Sequence, residues 1–357
     1  MEYNWIKTIA KISDDYTIIH FHDNFNQKIR PNTLPNKLID LTFGEKFNRK
    51  IESNTLPENL TSLIFGDEFN RKIKPGILPE NLTTLTFGDA FNRKIEFDIL
   101  PENLTTLTFG DAFNRKVELN TLPENVTILT FGNNFNQKIE PNTLPENLTT
   151  LTFGTCFNQK VELNTLPENL TILTFGTIFN QKIKPGILPE NLTTLTFSKW
   201  FNQKIKPNTL PENLTTLTFG WSFNQKIESN TLPNNLTTLT FGYKFNQKID
   251  SEILPSDLKN INFNWTYYDY HSSFEHHIEM VNNIPNYYHV EIFLKKCIFD
   301  IDKSKWPIHV VDYKKVIWSP EIYEIQDRYK HPIHGPVTIL INKKTYQPYS
   351  SAKSAIK

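Results

Sequence analysis

The chain has 357 residues and a formal net charge of zero, with 27 Phe and 22 Pro but only 2 Met. Neutrality argues against a general nucleic-acid binder, which needs basic charge to displace counterions. Two cysteines 141 residues apart exclude a disulfide scaffold and a Cys-based zinc motif.

The chain opens on a faint version of a pattern that later becomes explicit. Tyr3-Asn4 lies 22 residues before Phe25-Asn26, and Ile12, Tyr16, Ile19 and Phe21 fall on apolar positions of the same phase. Residues 1–24 are read as a degenerate first repeat and cap. Met1–Asp15 has no signal-peptide core, and no run of 18 apolar residues follows. A soluble, cytoplasmic protein without a membrane segment is expected. From Phe25, Phe-Asn recurs every 22 residues through Phe245, with no insertion or deletion. A fixed period in the twenties is the signature of a solenoid. The unit reads F-N-[QR]-K-[IV]-x4-L-P-x2-[LV]-x2-[LI]-x-F-[GS]-x2, and eleven such repeats fill residues 25–266. The two Phe positions hold 23 of the 27 Phe, so the odd composition is one short unit, copied.

Within a unit, Leu85 and Phe87 alternate with Thr84 and Thr86, a period of two in residues suited to a pleated strand. Leu85 and Phe87 should face inward and the threonines outward. Gly88 should end the strand and permit a turn. Lys94 to Pro101 shows no helical period, and Pro holds its predecessor extended. An all-β solenoid follows, with a parallel sheet on one side and an extended convex side. At roughly 4.8 Å per strand, eleven or twelve strands would run about 55 Å. The Asn after each repeat Phe stands at Asn26, Asn48, Asn70, Asn92, Asn114, Asn136, Asn158, Asn180, Asn202, Asn224 and Asn246. An Asn repeated in every coil suits a structural ladder that satisfies turn amides between coils.

The stretch L-P-E-N-L-T-T-L-T-F-G-D-A-F-N-R-K-I resembles the FNIP repeat, a 22-residue relative of the leucine-rich repeat found in social amoebae and in giant viruses that infect amoebae. The resemblance covers residues 3–266 and implies a leucine-rich-repeat-like scaffold that presents a protein-interaction surface. If the chain is viral, the host cytoplasm is the implied compartment. One departure concerns the ladder Asn, which falls five residues after the last strand apolar residue (Phe87 to Asn92), where the leucine-rich repeat places it three after. Some members carry an F-box before the repeats. Here the repeat phase starts at Tyr3, so that adaptor role is not expected.

Specificity in a solenoid belongs to the positions that vary. The pair before the repeat Phe begins acidic, with Asp23, Glu45, Asp67, Asp89 and Asp111. It ends in Lys199-Trp200, Trp221-Ser222 and Tyr243-Lys244. Arg49, Arg71, Arg93 and Arg115 accompany four of the five acids, which suggests local charge pairs rather than a metal site. Trp200, Trp221 and Tyr243 sit in the equivalent two-residue loops of successive units, with Lys199 and Lys244 beside them. They are the partner-binding candidates, the competing reading being that they pack beneath the following segment. Eleven lysines from Lys28 to Lys248 form a ladder, and Glu58 to Glu212 form an eight-step acidic one. Glu and Asp also prevail at the fifth position after the repeat Phe, as at Glu96, and the offset charges should neutralise a solvated face. Nine N-x-T triplets from Asn59 to Asn235 are read as by-products of the repeat.

Residues 267–357 hold 10 of 13 Tyr and 7 of 9 His, with β-prone runs at 287–294, 308–313 and 337–341. They are expected to form a β-rich cap or small module. His276-His277 and the pair His331, His334 lack the remaining ligands of a metal site. The sequence as a whole predicts a monomeric, non-enzymatic scaffold for an unidentified protein partner, without catalytic residues, cofactor, metal or nucleic acid. Two alternatives are a metal-binding or enzymatic C-terminal module and a structural, virion-associated role.

Overall fold

The computed structural model describes residues 4–249, 251–266, 289–295, 322–324, 332–334 and 337–340. The chain divides into two compact units, residues 1–192 and 193–357. The first unit holds a one-turn helix α1 (Asn4–Lys7) and nine strands. These are β1 (Ala10–Ile12), β2 (Ile18–Phe21), β3 (Asp40–Thr42), β4 (Ser62–Ile64), β5 (Thr84–Thr86), β6 (Thr106–Thr108), β7 (Ile128–Thr130), β8 (Thr150–Thr152) and β9 (Ile172–Thr174). From β2 on, neighbours are parallel and offset by one period, as in Leu63↔Leu85 and Leu85↔Leu107. Each coil thus contributes one three-residue strand to a parallel sheet. The remainder of each coil is extended chain and turns, without a helix.

The strands are built on the expected alternation. In Thr84–Thr86 the central Leu85 is fully buried and both threonines are half-buried. Phe87 then turns inward and meets Phe91 of the same coil, ring centroids 3.9 Å apart and planes 13° from parallel. The next coil stacks on both rings, Phe87 to Phe109 at 5.7 Å and Phe91 to Phe113 at 6.3 Å. Two columns of rings therefore run through the unit. Each buried ring contributes roughly 1.5–3 kcal/mol by leaving water, and a ring neighbour adds about 0.5–1.5 kcal/mol.

Two kinds of glycine serve different purposes. Gly88 was expected to free a turn, yet its backbone has no positive φ. It is required because a Cβ there would overlap the carbonyl oxygen of Gly66, one coil back. Backbone packs directly on backbone at this corner. Positive φ occurs in a different turn, six to seven residues after the repeat Phe. There Gly76 (70°), Asp98 (66°), Asn120 (58°), Asn142 (59°), Asn164 (59°) and Gly186 (77°) hold the left-handed conformation. The amide of Thr121 closes one such turn on the Glu118 carbonyl at 3.2 Å, the pattern of a type II turn.

The N-terminal segment departs from the repeat. Ile19 and Phe21 are buried at repeat positions, and Ile19 pairs with Leu41 in register. Ile12 and Tyr16 are only half-buried. The strand β1 runs antiparallel to β2, with Lys11 opposite His20, and so covers the sheet edge. A side-chain cluster holds the connecting turn. Asp15 accepts hydrogen bonds from the Ser13 hydroxyl at 2.6 Å and the Thr17 hydroxyl at 2.8 Å.

In the second unit, β10 (Thr194–Thr196), β11 (Thr216–Thr218), β12 (Thr238–Phe241) and β13 (Asn260–Thr266) continue the parallel pattern among themselves. The strand β14 (His289–Lys295) pairs parallel with β13, and β17 (Val337–Leu340) pairs antiparallel with β14. The strands β15 (Ile322–Glu324) and β16 (Pro332–His334) form a separate antiparallel pair. The β-prone runs at 287–294 and 337–341 thus overlap strands. The run at 308–313 and the residues His276, His277 and His331 lie outside the described residues.

Candidate interaction surfaces

The Asn after each repeat Phe joins consecutive coils. In the first unit the backbone N–H of Asn48 donates to the side-chain oxygen of Asn26 at 3.0 Å, and the same bond recurs at every step to Asn180. In the second unit it links Asn202 to Asn224 and Asn224 to Asn246. The residue after this Asn supplies a second donor. Arg49, Arg71, Arg93 and Arg115 each donate Nε–H to the carbonyl of the preceding coil's Asn, at 2.9–3.1 Å. Gln137, Gln159 and Gln181 reach that Asn's side-chain oxygen, at 2.9–3.1 Å, and Gln159 also donates to the Asn136 carbonyl at 3.0 Å. This corrects the expected acid–arginine pairing. Among the described residues no Arg forms an ion pair with the rim acids Asp23, Glu45, Asp67, Asp89 and Asp111.

Among the described residues, the lysine ladder finds its ion-pair partners in one of the two acidic rows expected to balance it. It pairs with the acid five residues after the repeat Phe, mainly in the next coil. Examples are Lys28–Glu52 at 2.9 Å, Lys72–Glu96 at 2.8 Å, Lys94–Glu118 at 3.4 Å and Lys204–Glu228 at 2.6 Å. The Lys hydrogen bond holds the Glu52, Glu96, Glu162 and Glu228 carboxyls below their ordinary pKa. In the Glu58-to-Glu212 row, Glu124 and Glu212 accept backbone N–H hydrogens from Glu146 and Asn234 in the next coil, at 3.0 and 3.2 Å.

The N-x-T triplets are structural. Asn81 donates from its amide nitrogen to the Glu58 carbonyl at 2.8 Å, and Asn103 to Glu80 at 2.9 Å. The hydroxyl of Thr83 donates to the Thr61 carbonyl at 3.1 Å. Asn103, Thr105, Asn125 and Thr127 line part of a shallow groove, with their donors occupied in this way.

At the other end of the repeat series the candidate residues meet. Lys199 places its ammonium 5.8 Å from the ring of Trp200 and 5.6 Å from that of Trp221, within range of cation–π attraction. Trp221 and Tyr243 lie 4.4 Å apart, tilted by 33°. The amide of Lys244 donates to the Trp221 carbonyl at 2.9 Å, as the amide of Ser222 does to Lys199. Equivalent loops are thereby held one above the next. Trp200 is 47% exposed; Lys199 and Lys244 are exposed and Trp221 and Tyr243 half-buried. Because Trp221 and Tyr243 cover each other's faces, the open apolar surface here is the Trp200 indole. Among the described residues, no group of three or more His, Cys, Asp or Glu is arranged to hold a metal ion. No helix among them is long and apolar enough to cross a membrane.

One row escaped notice in the sequence. The residue six places after the repeat Phe is exposed and apolar at Phe97, Leu119 and Leu163, and is Pro at Pro75, Pro141 and Pro185.

Coils of 22 residues, one short parallel strand each and an asparagine ladder between them define a leucine-rich-repeat-like scaffold. The chain belongs to the family described as FNIP Repeat, which matches residues 11–46, 47–90, 69–112, 91–118, 113–156, 157–199 and 201–244. Among solved structures it is similar to the giant-virus protein CroV588, described as a novel circular LRR protein. The identity is 43% and the TM-score 0.67, over 80% of this chain and 44% of that one. The chain therefore spans less than half the length of that relative. An internalin, inlF of Listeria monocytogenes, is similar at 16% identity and TM-score 0.46, covering 75% of this chain and 78% of its own. No curated protein matches significantly.

Proposed function

We propose that the chain is a non-enzymatic repeat scaffold that binds a protein through Lys199, Trp200, Trp221, Tyr243 and Lys244 in its second unit. The observation that carries this reading is the exposed indole of Trp200, 47% accessible, beside two further aromatic rings and two exposed lysines. The same loop position holds Ala90, Ala112, Asn134 and Cys156 in earlier coils, so the scaffold does not require an aromatic residue there. Aromatic anchors held by well-packed neighbours are the residues that dominate binding energy at protein interfaces. The lysines favour a partner segment with an apolar side chain flanked by acidic ones. In this reading residues 1–24 close one end, residues 25–266 form the repeat body, and residues 267–357 act as a separate C-terminal cap.

The test is capture from amoebal lysate by the full chain and by a Trp200→Ala/Trp221→Ala variant. A defined protein retained by the natural chain should be lost at least about tenfold from the variant, since hot-spot truncations cost about 2 kcal/mol or more. Equal recovery by both would place the binding surface elsewhere.

A further inference from the structure

In the second unit the residue just before the repeat Phe is Trp200, then Ser222, then Lys244. Backbone bonds of 2.9 Å, from the Ser222 amide to Lys199 and from the Lys244 amide to Trp221, stack these loops as closely as strands. At roughly 4.8 Å per coil, Trp200 and Lys244 stand roughly 10 Å apart at the same loop position. Ser222 between them is small and only 8% exposed. The row is thus a large ring, a notch and a long cation, with half-buried Trp221 and Tyr243 at the neighbouring loop position. The two lysines are not equivalent. The Lys199 ammonium is held by two indoles, 5.8 Å from Trp200 and 5.6 Å from Trp221. Lys244 is exposed and makes no ion pair or cation–π contact among the described residues.

We infer that the occupant of this surface is a proline-rich segment in the polyproline II conformation. It lies along the row with an apolar side chain on Trp200 and an acidic one, three residues away, on Lys244. The inference rests on the reading of these residues as a protein-binding surface and adds the chemistry of the partner. Spacing is the first argument. A polyproline II helix brings every third side chain back to one face, about 9.3 Å along its axis, which matches the separation of Trp200 and Lys244. A strand offers same-face neighbours about 6.8 or 13.6 Å apart. An α-helix returns to that face about 10.5 Å on, two turns later, and its body of about 10 Å diameter overhangs a notch one small residue wide. Lining is the second argument. Proline-rich segments dock on aromatic surfaces, and here the open face is an indole with two further rings beside it. Charge is the third. The loops 198–200, 220–222 and 242–244 contain no Asp or Glu, so an incoming carboxylate meets Lys244 without a competitor in them. Lys199 is already engaged and serves to hold the Trp200 indole in place. Both sides of such a contact are ordered beforehand, which keeps the entropic cost of binding low.

Calorimetric titration of the full chain with two synthetic peptides tests it. The first, Pro-Pro-Glu-Pro-Pro-Leu-Pro-Pro-Glu-Pro-Pro, carries an acid three residues from its leucine in either direction. The second, Pro-Pro-Pro-Glu-Pro-Leu-Pro-Glu-Pro-Pro-Pro, carries the same acids two residues away. The first should bind with a dissociation constant of about 10–100 μM, and the second about threefold or more weakly. Lys244→Ala should erase that difference and Lys199→Ala should keep it. Trp200→Ala should weaken both peptides at least about tenfold. Equal binding of the two peptides, a difference that depends on Lys199 rather than Lys244, or no binding of either at about 1 mM would overturn the inference. Tighter binding of an alanine-rich helical peptide with Leu and Glu seven residues apart would overturn it in favour of a helical partner. Competition in the lysate capture separates the inference from the reading beneath it. A captured protein that depends on Trp200 and Trp221 but is not displaced by the first peptide overturns the polyproline assignment alone. Capture that is indifferent to Trp200→Ala/Trp221→Ala overturns the surface itself.

Discussion

Arg93 donates its Nε hydrogen to the carbonyl oxygen of Asn70, 3.1 Å away in the preceding coil, and leaves Asp89 in its own coil without that partner. The exchange of Arg for Gln along the solenoid is therefore an exchange of one donor for another. Charge has little to do with it. The rim acids accompany the arginines in the sequence but form no ion pair with them among the described residues.

Arg93→Gln should change stability by less than about 0.5 kcal/mol, because Gln fills the same place at Gln137 and Gln159. Arg93→Leu should cost about 1 kcal/mol, the net value of one hydrogen bond. Urea denaturation measures both. Coupling above about 0.5 kcal/mol between Asp89→Asn and Arg93→Gln would reinstate the ion pair.

The two glycine positions should respond in opposite ways. Gly76→Asn places in the left-handed turn a residue that Asn120 and Asn142 already show to fit, and should stay within about 0.5 kcal/mol. Gly88→Ala forces a methyl group into the Gly66 carbonyl, so the coils must separate. It should lower stability by at least about 2 kcal/mol. Thermal melts of the two variants compare them directly, and a harmless Gly88→Ala would mean that the corner is more open than described.

Phe91→Ala removes a fully buried ring and should cost about 3–5 kcal/mol. Its neighbour in the column is Phe69, 6.2 Å away. The double variant Phe69→Ala/Phe91→Ala should therefore depart from additivity by about 0.5 kcal/mol or more, whereas Phe91→Ala with Phe157→Ala should be additive. Equal behaviour of the two pairs would argue against stability as a sum of nearest-neighbour contacts.

Asp15 should titrate near pH 2. Hydrogen bonds from Ser13 and then Thr17 lower its pKa from 3.8 to about 2. A depressed carboxyl stabilises the folded chain above the unfolded pKa, and that contribution is lost as pH falls from about 3.8 through about 2. The Lys-bonded Glu52, Glu96, Glu162 and Glu228 shift in the same direction, so their contributions also vanish on the acid side. NMR titration of Asp15 in the natural chain and in Ser13→Ala checks the cause. The midpoint should rise in the variant.

Periodicity made the coils legible in the sequence. Leu85 and Phe87 inside, Thr84 and Thr86 outside and a 22-residue register all follow from spacing and side-chain character. Spacing shows which residues recur but not what each one touches in the next coil. Glu58 and Glu96 looked equivalent as partners for the lysines, yet only Glu96 lies within reach of Lys72. Asn81 looked incidental and bonds a carbonyl one coil back. Gly88 looked like a turn residue but is needed for space, and the glycine needed for its dihedral is Gly76. In the loop before the repeat Phe, the aromatic side chains marked themselves by being out of pattern. Phe97 and Leu119 did not, because their position varies freely and its exposure depends on a turn whose third residue alone is constrained.

The inter-coil bonds join residues about one period apart, 21 to 24 places along the chain, as in Phe87 to Thr108, Asn26 to Asn48, Asn26 to Arg49 and Lys72 to Glu96. Loss or gain of a single residue would put every donor downstream of it one place out of step with its acceptor. Loss or gain of 22 residues would leave each donor facing an equivalent acceptor. The length of this molecule is thus quantised. It can be shortened or extended by whole coils at little cost in bonding, while the chemistry of each coil stays the same.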